Sequence, residues 1–471
     1  MKPGKSSSFQ NDTICALSTP YGTGAISIIR LSGHSAFAIC KKVFFPNNES
    51  DDFSSNTSRN LHFGKIKNDD NTLLDEVIVS VFRNPHSYTG EDVVEISCHG
   101  SVFIQEQLLQ LLIRKGARAA NPGEFTLRAF LNGKMDLTQA EAVADLIASK
   151  SGIAHRMALQ QMKGGISKQI KQLRYQLVEL AVLLELELDF SEEDVEFANR
   201  DKLSELLSDI RAEVAVLLES YAMGNVLKGG IPVAIIGKPN VGKSTLLNIF
   251  LNEDRAIVSE IPGTTRDAIE DTIIINGICF RFIDTAGLRD TYDKVEYIGV
   301  ERTYEKIELA SIILYLFDIS ETGIGEIKDA ISDFRKEIAG KDKKLIIIAN
   351  KIDKLIEAPK GSKDIPEMDI VFISAKCREN IHLITEKLVQ SVSDGHLSTN
   401  ETMVTSSRHY EALIRSQGSL DKAMNGLNNG LSNDLLAEDI RTALHYLGEI
   451  TGDITTDEIL DNIFSKFCVG K

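Results

Sequence analysis

The sequence lacks the cysteine and histidine spacings that mark disulfide frameworks and zinc sites. Its six cysteines are scattered along the chain, and none belongs to a CxxC pair. Its nine histidines likewise show no metal-ligand spacing. These absences argue against a disulfide-stabilised secreted fold and against a structural zinc module.

Long apolar runs and an N-terminal signal are also missing. The longest apolar stretches, residues 312–317 and 345–349, are far shorter than the roughly 20 residues of a membrane-spanning helix. Residues 1–13 are polar and contain no apolar core of a signal peptide. We therefore expect a cytoplasmic protein without membrane contacts.

Basic residues are in the minority, with 52 Lys and Arg against 68 Asp and Glu and a formal net charge of −16. Such a surface repels nucleic-acid phosphates, which argues against an autonomous RNA-binding protein. An RNA substrate would need a local basic patch or a partner that supplies the contact.

The chain length and the alternating patterns along the chain predict several domains. The 471 residues suggest about three domains. Strand-like runs at residues 26–31, 77–82 and 93–97, separated by turn-forming clusters, predict an α/β or α+β N-terminal domain.

Helical periodicity begins after Pro122 and resumes after residue 402. One helix face is predicted by apolar residues spaced three and four apart, and a second helical run from Asp201 ends near Met223–Gly224. The acidic stretch 185–196 is interpreted as a solvated helix end. The apolar face consists of Ile166, Ile170, Leu173, Leu177, Leu180, Leu184 and Leu188.

Neither helical region is rich enough in apolar residues to form a domain alone, so we expect one helical bundle built from both. The predicted division is an α/β domain over 1–121, helical segments over 122–228 and 389–471, and an inserted α/β domain over 229–388.

The inserted segment carries a phosphate-binding loop. The buried-strand run 231–236 is followed by GKPNVGKS at residues 237–244, which matches G-x-x-x-x-G-K-S in its strand–loop–helix context. Backbone N–H groups and the helix N-terminus would wrap the phosphates. Lys243 would reach the β and γ phosphates, and the Ser244 hydroxyl would ligate Mg²⁺.

Four further motifs follow in the order of a Ras-like G domain. GTTRD at 263–267 fits a switch segment, and DTAG at 284–287 fits the Mg²⁺ side and γ-phosphate sensor. NKID at 350–353 supplies a carboxylate, Asp353, that accepts hydrogen bonds from guanine N1–H and the 2-amino group, which adenine cannot offer. SAK at 374–376 fits the base-contacting loop.

One position departs from the Ras pattern. The residue after DTAG is Leu288, which cannot orient water as a glutamine does. Asp290, Asp293 and Glu296 are candidates for this role, and Arg289 is a candidate charge stabiliser or an ordinary surface arginine.

Segments outside the G motifs resemble the tRNA-modification GTPase family MnmE, also called TrmE. They are YTGED at 88–92, PGEFT at 122–126, RAFLNGK at 128–134, DL at 136–137, QAEA at 139–142 and the terminal FCVGK at 467–471. No generic GTPase needs these segments.

The resemblance implies a K⁺-activated GTPase whose G domains dimerise across the active site. It implies K⁺ ligation by Asn240, Ser259, Ile261 and Thr264, Mg²⁺ ligation by Ser244 and Thr265, and water orientation by Glu296. Lys243, Glu296 and Arg289 are the catalytic candidates. The GTP-binding set is Asn240, Val241, Gly242, Lys243, Ser244, Thr245, Ser259, Glu260, Ile261, Pro262, Gly263, Thr264, Thr265, Asp284, Thr285, Ala286, Gly287, Asn350, Lys351, Ile352, Asp353, Ser374, Ala375 and Lys376.

The resemblance also implies that the N-terminal domain dimerises and binds 5-formyl- or 5,10-methylene-tetrahydrofolate. The matching positions are Arg30, Glu95, Lys134 and Lys471. Cys468 is either close to the one-carbon chemistry or a semi-buried structural cysteine.

The implied function requires a flavoprotein partner, MnmG. Together they would add an aminomethyl or carboxymethylaminomethyl group to C5 of the wobble uridine of certain tRNAs. The chain has no GxGxxG flavin motif, so FAD is expected on the partner. Two alternatives are a ribosome-assembly GTPase that acts as an RNA-associated switch, and a GTP-dependent timer for a scaffold.

Overall fold

The computed structural model describes residues 12–47, 61–189, 200–252, 271–283, 307–322, 324–338, 343–355, 369–393 and 402–471. The chain divides into two compact units. The first contains Met1–Ile147, Ala158–Val216 and Ser407–Lys471, and the second contains Ala148–Met157 and Leu217–Ser406. The predicted four-segment division stays a prediction beside these two units.

The first unit begins with a seven-stranded sheet. The elements are β1 Ile14–Leu17, β2 Ile26–Ser32, α1 Ala36–Lys41, β3 Phe44–Pro46, β4 Leu61–Lys67, β5 Leu73–Phe82, β6 Val93–His99, α2 Val102–Arg114 and β7 Arg118–Ala119. The strand order is β3-β4-β5-β6-β2-β1-β7. The pairing is antiparallel except between β1 and β7, so α+β describes this part better than α/β. Strands β1 and β2 pair as neighbours in sequence, as do the strands from β3 to β6, while β2 pairs with the distant strand β6.

Helices α1 and α2 cover one face of this sheet. Val77, Val79 and Val81 alternate along β5 toward a core that Leu108 and Leu112 of α2 complete. On the opposite face, Ile14 and Ala16 of β1 pack with Phe125, whereas β4 and β5 carry exposed apolar side chains. Because successive side chains of a strand point to opposite faces of the sheet, the buried valines of β5 and the exposed isoleucine between two of them lie on different faces.

A helical region follows the sheet along the chain. The helices are α3 Glu124–Leu131, α4 Leu137–Ala148, α5 Gly152–Met162, α6 Gly165–Asp189, α7 Arg200–Gly229, α11 Ser407–Asn428, α12 Asn433–Thr451 and α13 Asp457–Phe464. Helix α6 packs against α12, and α12 packs against α11. The residues of the predicted apolar face from Ile166 to Leu184 are at most 2% exposed, which confirms that face of α6, while the side chain of Leu188 lies outside the described residues.

Helix α7 is longer than the sequence predicted. It continues past Gly224 and ends at Gly229. A Cβ on Gly224 would lie 2.3 Å from the Val404 carbonyl oxygen, so this glycine permits a close backbone approach inside the helix. The prediction that the helix ends near Met223–Gly224 was wrong because a packing glycine was interpreted as a helix terminator.

The second unit contains a six-stranded sheet. The elements are β8 Ile231–Ile236, α8 Lys243–Asn252, β9 Asp271–Ile275, β10 Ile278–Phe282, β11 Ile312–Asp318, α9 Ile324–Ile338, β12 Lys344–Asn350, β13 Ile370–Phe372 and α10 Ile381–Ser393. The strand order is β13-β12-β11-β8-β10-β9. All its strands are parallel except β9, which pairs antiparallel with β10. No helix in the described ranges is long and apolar enough to cross a membrane.

Buried strands position the loops of this second unit. Every residue of β8 is buried, and β11 and β12 are buried along most of their length. The carboxyl ends of parallel strands meet at one edge of a sheet, where ligands of open α/β folds bind. The motifs at residues 237–244, 350–353 and 374–376 follow strands β8, β12 and β13 at this edge.

Candidate functional site

The phosphate-binding loop joins β8 to α8 in a conformation that requires two glycines. Gly237 has φ +151° and Gly242 has φ +104°. A Cβ would lie 2.1 Å from the Leu316 carbonyl oxygen at Gly237, and 2.3 Å from the Asn350 amide nitrogen at Gly242. Any side chain at either position would therefore clash with the strand or loop behind the phosphate site.

Lys243 starts helix α8 and folds its side chain over the loop. Its ammonium donates to the carbonyl oxygens of Gly237 at 2.7 Å and Lys238 at 2.8 Å. Ser244 and Thr245 follow in the first turn of the helix. The arrangement places a cation and a helix N-terminus beside one another, which suits a phosphate group.

Asn350 connects three separate loops through one buried amide. Its nitrogen donates to the Val241 carbonyl in the phosphate loop at 2.7 Å. Its oxygen accepts from the backbone N–H of Lys351 at 2.8 Å and of Ala375 at 3.0 Å. Because the residue is 2% exposed, loss of these bonds would leave buried polar groups unpaired.

Asp353 is oriented by a neighbouring hydroxyl. The Ser374 hydroxyl donates to Asp353 Oδ1 at 2.6 Å, and the same hydroxyl accepts from the Cys377 N–H at 3.1 Å. The Ser374 hydrogen bond lowers the pKa of Asp353 below its ordinary value. Asp353 is therefore an ionised acceptor, as guanine recognition requires.

Lys351 is held by an aspartate that the sequence analysis did not single out. Its ammonium lies 2.6 Å from Asp318 Oδ2 at the end of β11. Burial alone would raise the pKa of Asp318, but the Lys351 ammonium and the Ser320 hydroxyl outweigh burial and lower it. The sequence carried one signal for Asp318, which is an acidic residue at the end of a buried parallel strand. The ends of such strands meet at the edge of the sheet where ligands bind.

The other predicted G-domain residues lie outside the described residues. This group includes the whole switch segment, the DTAG motif and the catalytic candidates Arg289 and Glu296. The structure brings together residues 237–245, 350–353 and 374–376, and the roles assigned to these remain predictions.

A second constellation lies on the N-terminal sheet. The Arg30 guanidinium is 2.7 Å from Glu95 Oε1 across the β2–β6 pair. It also lies 5.3 Å from the ring centroid of Tyr88 and 5.6 Å from that of Phe125. Two aromatic faces and a carboxylate thus fix the guanidinium, as cation–π and ion-pair geometry favour.

Lys134 and Lys471 are held at nearby loops by backbone contacts. The Lys134 ammonium donates to the Pro85 carbonyl at 2.9 Å, in the loop that leads to Tyr88. Lys471 follows Gly470, where a Cβ would lie 2.1 Å from the Leu17 carbonyl at the end of β1. The C-terminal segment therefore packs against the strand that neighbours β2.

Cys468 is exposed, so the expectation of a semi-buried cysteine was wrong. Its backbone carbonyl accepts from the Gly123 N–H at 3.4 Å, which joins the terminal segment to the PGEFT motif. The neighbouring Phe467 is buried against Phe464. Phe467 therefore anchors the terminal segment, while the residue that follows it is accessible to solvent.

Comparisons with known proteins match nearly the whole chain. The family model described as the MnmE helical domain matches residues 137–468, and that described as the GTP-binding protein TrmE N-terminus matches residues 13–134. The tRNA modification GTPase MnmE of Christiangramia forsetii is 52% identical over 98% of this chain and 99% of that protein. The proteins of the same name from Flavobacterium psychrophilum and Bacteroides fragilis are 52% and 49% identical over the same shares.

The chain belongs to the MnmE family of tRNA modification GTPases. This membership confirms the predicted family and, with it, the predicted GTP hydrolase. The solved G domain of the T. maritima FeoB iron transporter also matches, with 22% identity, 34% coverage of this chain, 98% coverage of that chain and a TM-score of 0.25. A score this low supports no functional argument.

The MnmE segment PGEFT–RAFLNGK has a structural role that the sequence did not reveal. Glu124 is 1% exposed and accepts from Arg118 at 2.6 Å and from Arg128 at 3.0 Å. Arg128 is 3% exposed and also pairs with Asp12 at 2.6 Å and Glu91 at 3.2 Å. Each buried charge has partners of opposite sign, so removing one member would leave an unpaired buried charge.

Two further hydrogen bonds join this segment to the MnmE motif YTGED. The Tyr88 and Thr126 hydroxyls lie 2.9 Å apart, and the Asn132 amide donates to the Thr89 carbonyl at 2.8 Å. The two motifs thus fix the position of the Tyr88 ring beside Arg30. Much of the family pattern around the predicted folate residues is scaffold for them.

Proposed function

We propose that this chain is a K⁺-activated GTPase that works with the flavoprotein MnmG on tRNA. Together they install a carboxymethylaminomethyl or aminomethyl group at C5 of the wobble uridine, with a tetrahydrofolate one-carbon unit as carbon source. The observation that carries the proposal is the buried Asn350 amide, which holds the phosphate loop and both base-reading loops together in an MnmE family chain. We expect the protein to work in the cytoplasm.

The residues at the strand ends fit GTP and Mg²⁺. Gly237 and Gly242 let the phosphate loop pack closely against Leu316 and Asn350, and the Lys243 ammonium donates to two carbonyl oxygens of the same loop. Asp353 would read guanine, and Ser244 with Thr265 would ligate Mg²⁺. The Lys351 side chain, fixed by Asp318, would flank the base.

Asn240 supports the predicted K⁺ site. It has φ +62° and lies exposed at the tip of the phosphate loop, where its amide oxygen is accessible as an oxygen ligand. The remaining predicted ligands, Ser259, Ile261 and Thr264, lie outside the described residues. A K⁺ ion held there would supply positive charge to the phosphates, on which negative charge develops in phosphoryl transfer.

Glu296 would orient the attacking water, while Lys243 would stabilise negative charge on the β and γ phosphates. Leu288 cannot orient the water, because its side chain has no hydrogen-bonding group. Arg289 is retained as a second charge stabiliser.

The Arg30–Glu95 pair fits a folate on the N-terminal domain. Arg30, Lys134 and Lys471 would suit the anionic glutamyl part of a folate, and Glu95 would suit an N–H donor. The aromatic neighbours Tyr88 and Phe125 keep the Arg30 guanidinium in one orientation. Bound folate would supply the one-carbon unit.

The open face of the N-terminal sheet supports the proposed homodimer. Phe63 on β4 is directly opposite Ile78 on β5, and these residues are 50% and 45% exposed. Leu61, two residues before Phe63 on the same face, is 71% exposed. A contiguous apolar sheet surface of this kind is typical of a protein interface.

Reconstitution tests the proposed function. Unmodified tRNA with a wobble uridine is incubated with the chain, the purified flavoprotein, GTP, K⁺, methylene-tetrahydrofolate and an amine donor, either ammonium or glycine, and nucleosides are analysed by mass spectrometry. We expect a C5-modified uridine that disappears when the chain, the flavoprotein, GTP or the folate is omitted. A ribosome-assembly GTPase would leave the uridine unmodified in the complete mixture, which would contradict the proposal.

A further inference from the structure

One stretch of this acidic chain has six basic residues and no acids. Residues 146–178 contain no Asp or Glu, although the chain has 68 acids and a net charge of −16. The stretch carries positive charge at Lys150, Arg156, Lys163, Lys168, Lys171 and Arg174. Lys150 and Arg156 belong to the second unit, and the other four belong to the first.

Of the four residues of the first unit, Lys163 lies at the turn between α5 and α6, and the other three follow along α6. Gly164, at φ +84°, makes the turn directly after Lys163. A Cβ on Gly164 would lie 4.0 Å from Lys168 Cε, so the Lys168 stem folds back over the turn. Lys163 and Lys168 are thereby neighbours, and both residues are exposed.

These two lysines are the uncompensated charges of the group. Lys171 pairs with Asp136 at 3.2 Å, and Arg174 pairs with Asp453. No carboxylate of the described residues lies within ion-pair distance of Lys163 or Lys168, by contrast. Their charges are available to a ligand without the loss of an internal ion pair.

An aromatic side chain extends the same face of α6. Lys168, Lys171 and Tyr175 are spaced three and four residues apart, which aligns them on one side of the helix. Tyr175 is 65% exposed and is hydrogen-bonded to Glu179, where the acid-free stretch ends. Exposed lysines followed by an exposed aromatic ring suit phosphates and a stacked base.

We propose that this α5–α6 basic surface, formed by Lys163, Lys168, Lys171 and Tyr175, binds the phosphate backbone of tRNA. The inference rests on the proposed function, because that function requires a tRNA contact. The net charge of −16 repels phosphates, whereas the α5–α6 basic surface carries positive charge that attracts them. The N-terminus of the long helix α6 adds partial positive charge at the same turn.

The test compares two double variants of the full chain. Lys163→Gln/Lys168→Gln removes the uncompensated charges, and Lys41→Gln/Lys422→Gln removes two exposed charges elsewhere in the first unit. Binding of a labelled unmodified tRNA is measured by fluorescence anisotropy over a range of KCl concentrations. Melting temperature and basal GTP hydrolysis are recorded for both variants and are expected to match wild type.

For Lys163→Gln/Lys168→Gln we expect about tenfold weaker tRNA binding near 0.1 M salt, and a log–log salt slope shallower by about two, since each phosphate-contacting lysine contributes about one. The control pair should stay within about twofold of wild type. Equal affinities and slopes for the two variants would overturn the inference, as would a wild-type chain that does not bind tRNA at low salt.

A protein contact gives a different result. If Lys163→Gln/Lys168→Gln weakens binding of the flavoprotein without tRNA and leaves tRNA affinity unchanged, the surface binds a protein and the RNA inference is wrong. The reconstituted modification assay is run in parallel with wild type. If wild type modifies tRNA but the two double variants bind tRNA equally well, this surface is rejected and the proposed function is retained. If wild type does not modify tRNA, the proposed function itself is rejected.

Discussion

In the Asp353→Asn variant, GTP affinity is expected to fall by at least about 10²-fold, while affinity for xanthosine triphosphate rises. An asparagine amide would place a donor where guanine also presents donors, whereas xanthine presents a carbonyl oxygen at that position. The Ser374 hydroxyl, which donates to the native carboxylate, can still donate to the oxygen of the substituted amide, so the amide nitrogen would face the base. Equilibrium binding of fluorescent guanine and xanthine nucleotides measures the change.

The matched control for this prediction is Asp329→Asn. Asp329 is an exposed carboxylate on helix α9 of the same unit and lies outside the nucleotide motifs. We expect its guanine and xanthine affinities to equal those of wild type. Preserved GTP affinity in Asp353→Asn would contradict the assignment of Asp353 as the guanine-reading residue.

The second large effect is expected for Glu296→Ala. GTP should bind with near-normal affinity, while kcat for hydrolysis falls by about 10²- to 10⁴-fold, because water would lose its orienting carboxylate. Leu288 cannot replace that carboxylate. Single-turnover hydrolysis with saturating protein separates this chemical defect from binding.

Asp290→Ala and Asp293→Ala are the controls, since both acids are alternatives on residue chemistry alone. We expect both to hydrolyse GTP within a few-fold of wild type. Unchanged turnover in Glu296→Ala, or a large loss in either control, would show that another residue orients the water.

Local motifs made the nucleotide loops predictable from the sequence. The run at 231–236 and the glycines at 237 and 242 determine strand, turn and helix over a short segment. The apolar spacing in α6 was likewise sufficient, because one buried face repeats along a single helix. In these segments each local preference agrees with the final fold.

Contacts between distant segments were not predictable in the same way. Asn350 was predicted to bind GTP, but its bond to Val241 depends on the packing of two loops 109 positions apart. Asp318 was missed because its partner Lys351 belongs to another strand end. Gly224 was interpreted as a helix terminator, because the backbone it approaches lies far along the chain at Val404.

The N-terminal motifs show the same limit for charged residues. Glu124 and Arg128 have opposite charges and lie four positions apart, a spacing typical of an ion pair on an exposed helix surface. Both are nevertheless almost fully buried. The Arg128 partners Asp12 and Glu91, and the Glu124 partner Arg118, come from separate segments that the fold brings together. Sequence alone could identify this segment as belonging to the family, and the structure assigns much of it to holding Tyr88 beside Arg30.

The central claim, a cation-activated GTPase, is tested most directly by steady-state GTP hydrolysis in KCl and in NaCl at equal ionic strength. We predict a large acceleration specific to K⁺, because the proposed site, with Asn240 as one ligand, would hold K⁺ and supply positive charge to the phosphates. Equal and slow hydrolysis in both salts would contradict the K⁺-activated mechanism and would leave a slow GTP-dependent switch.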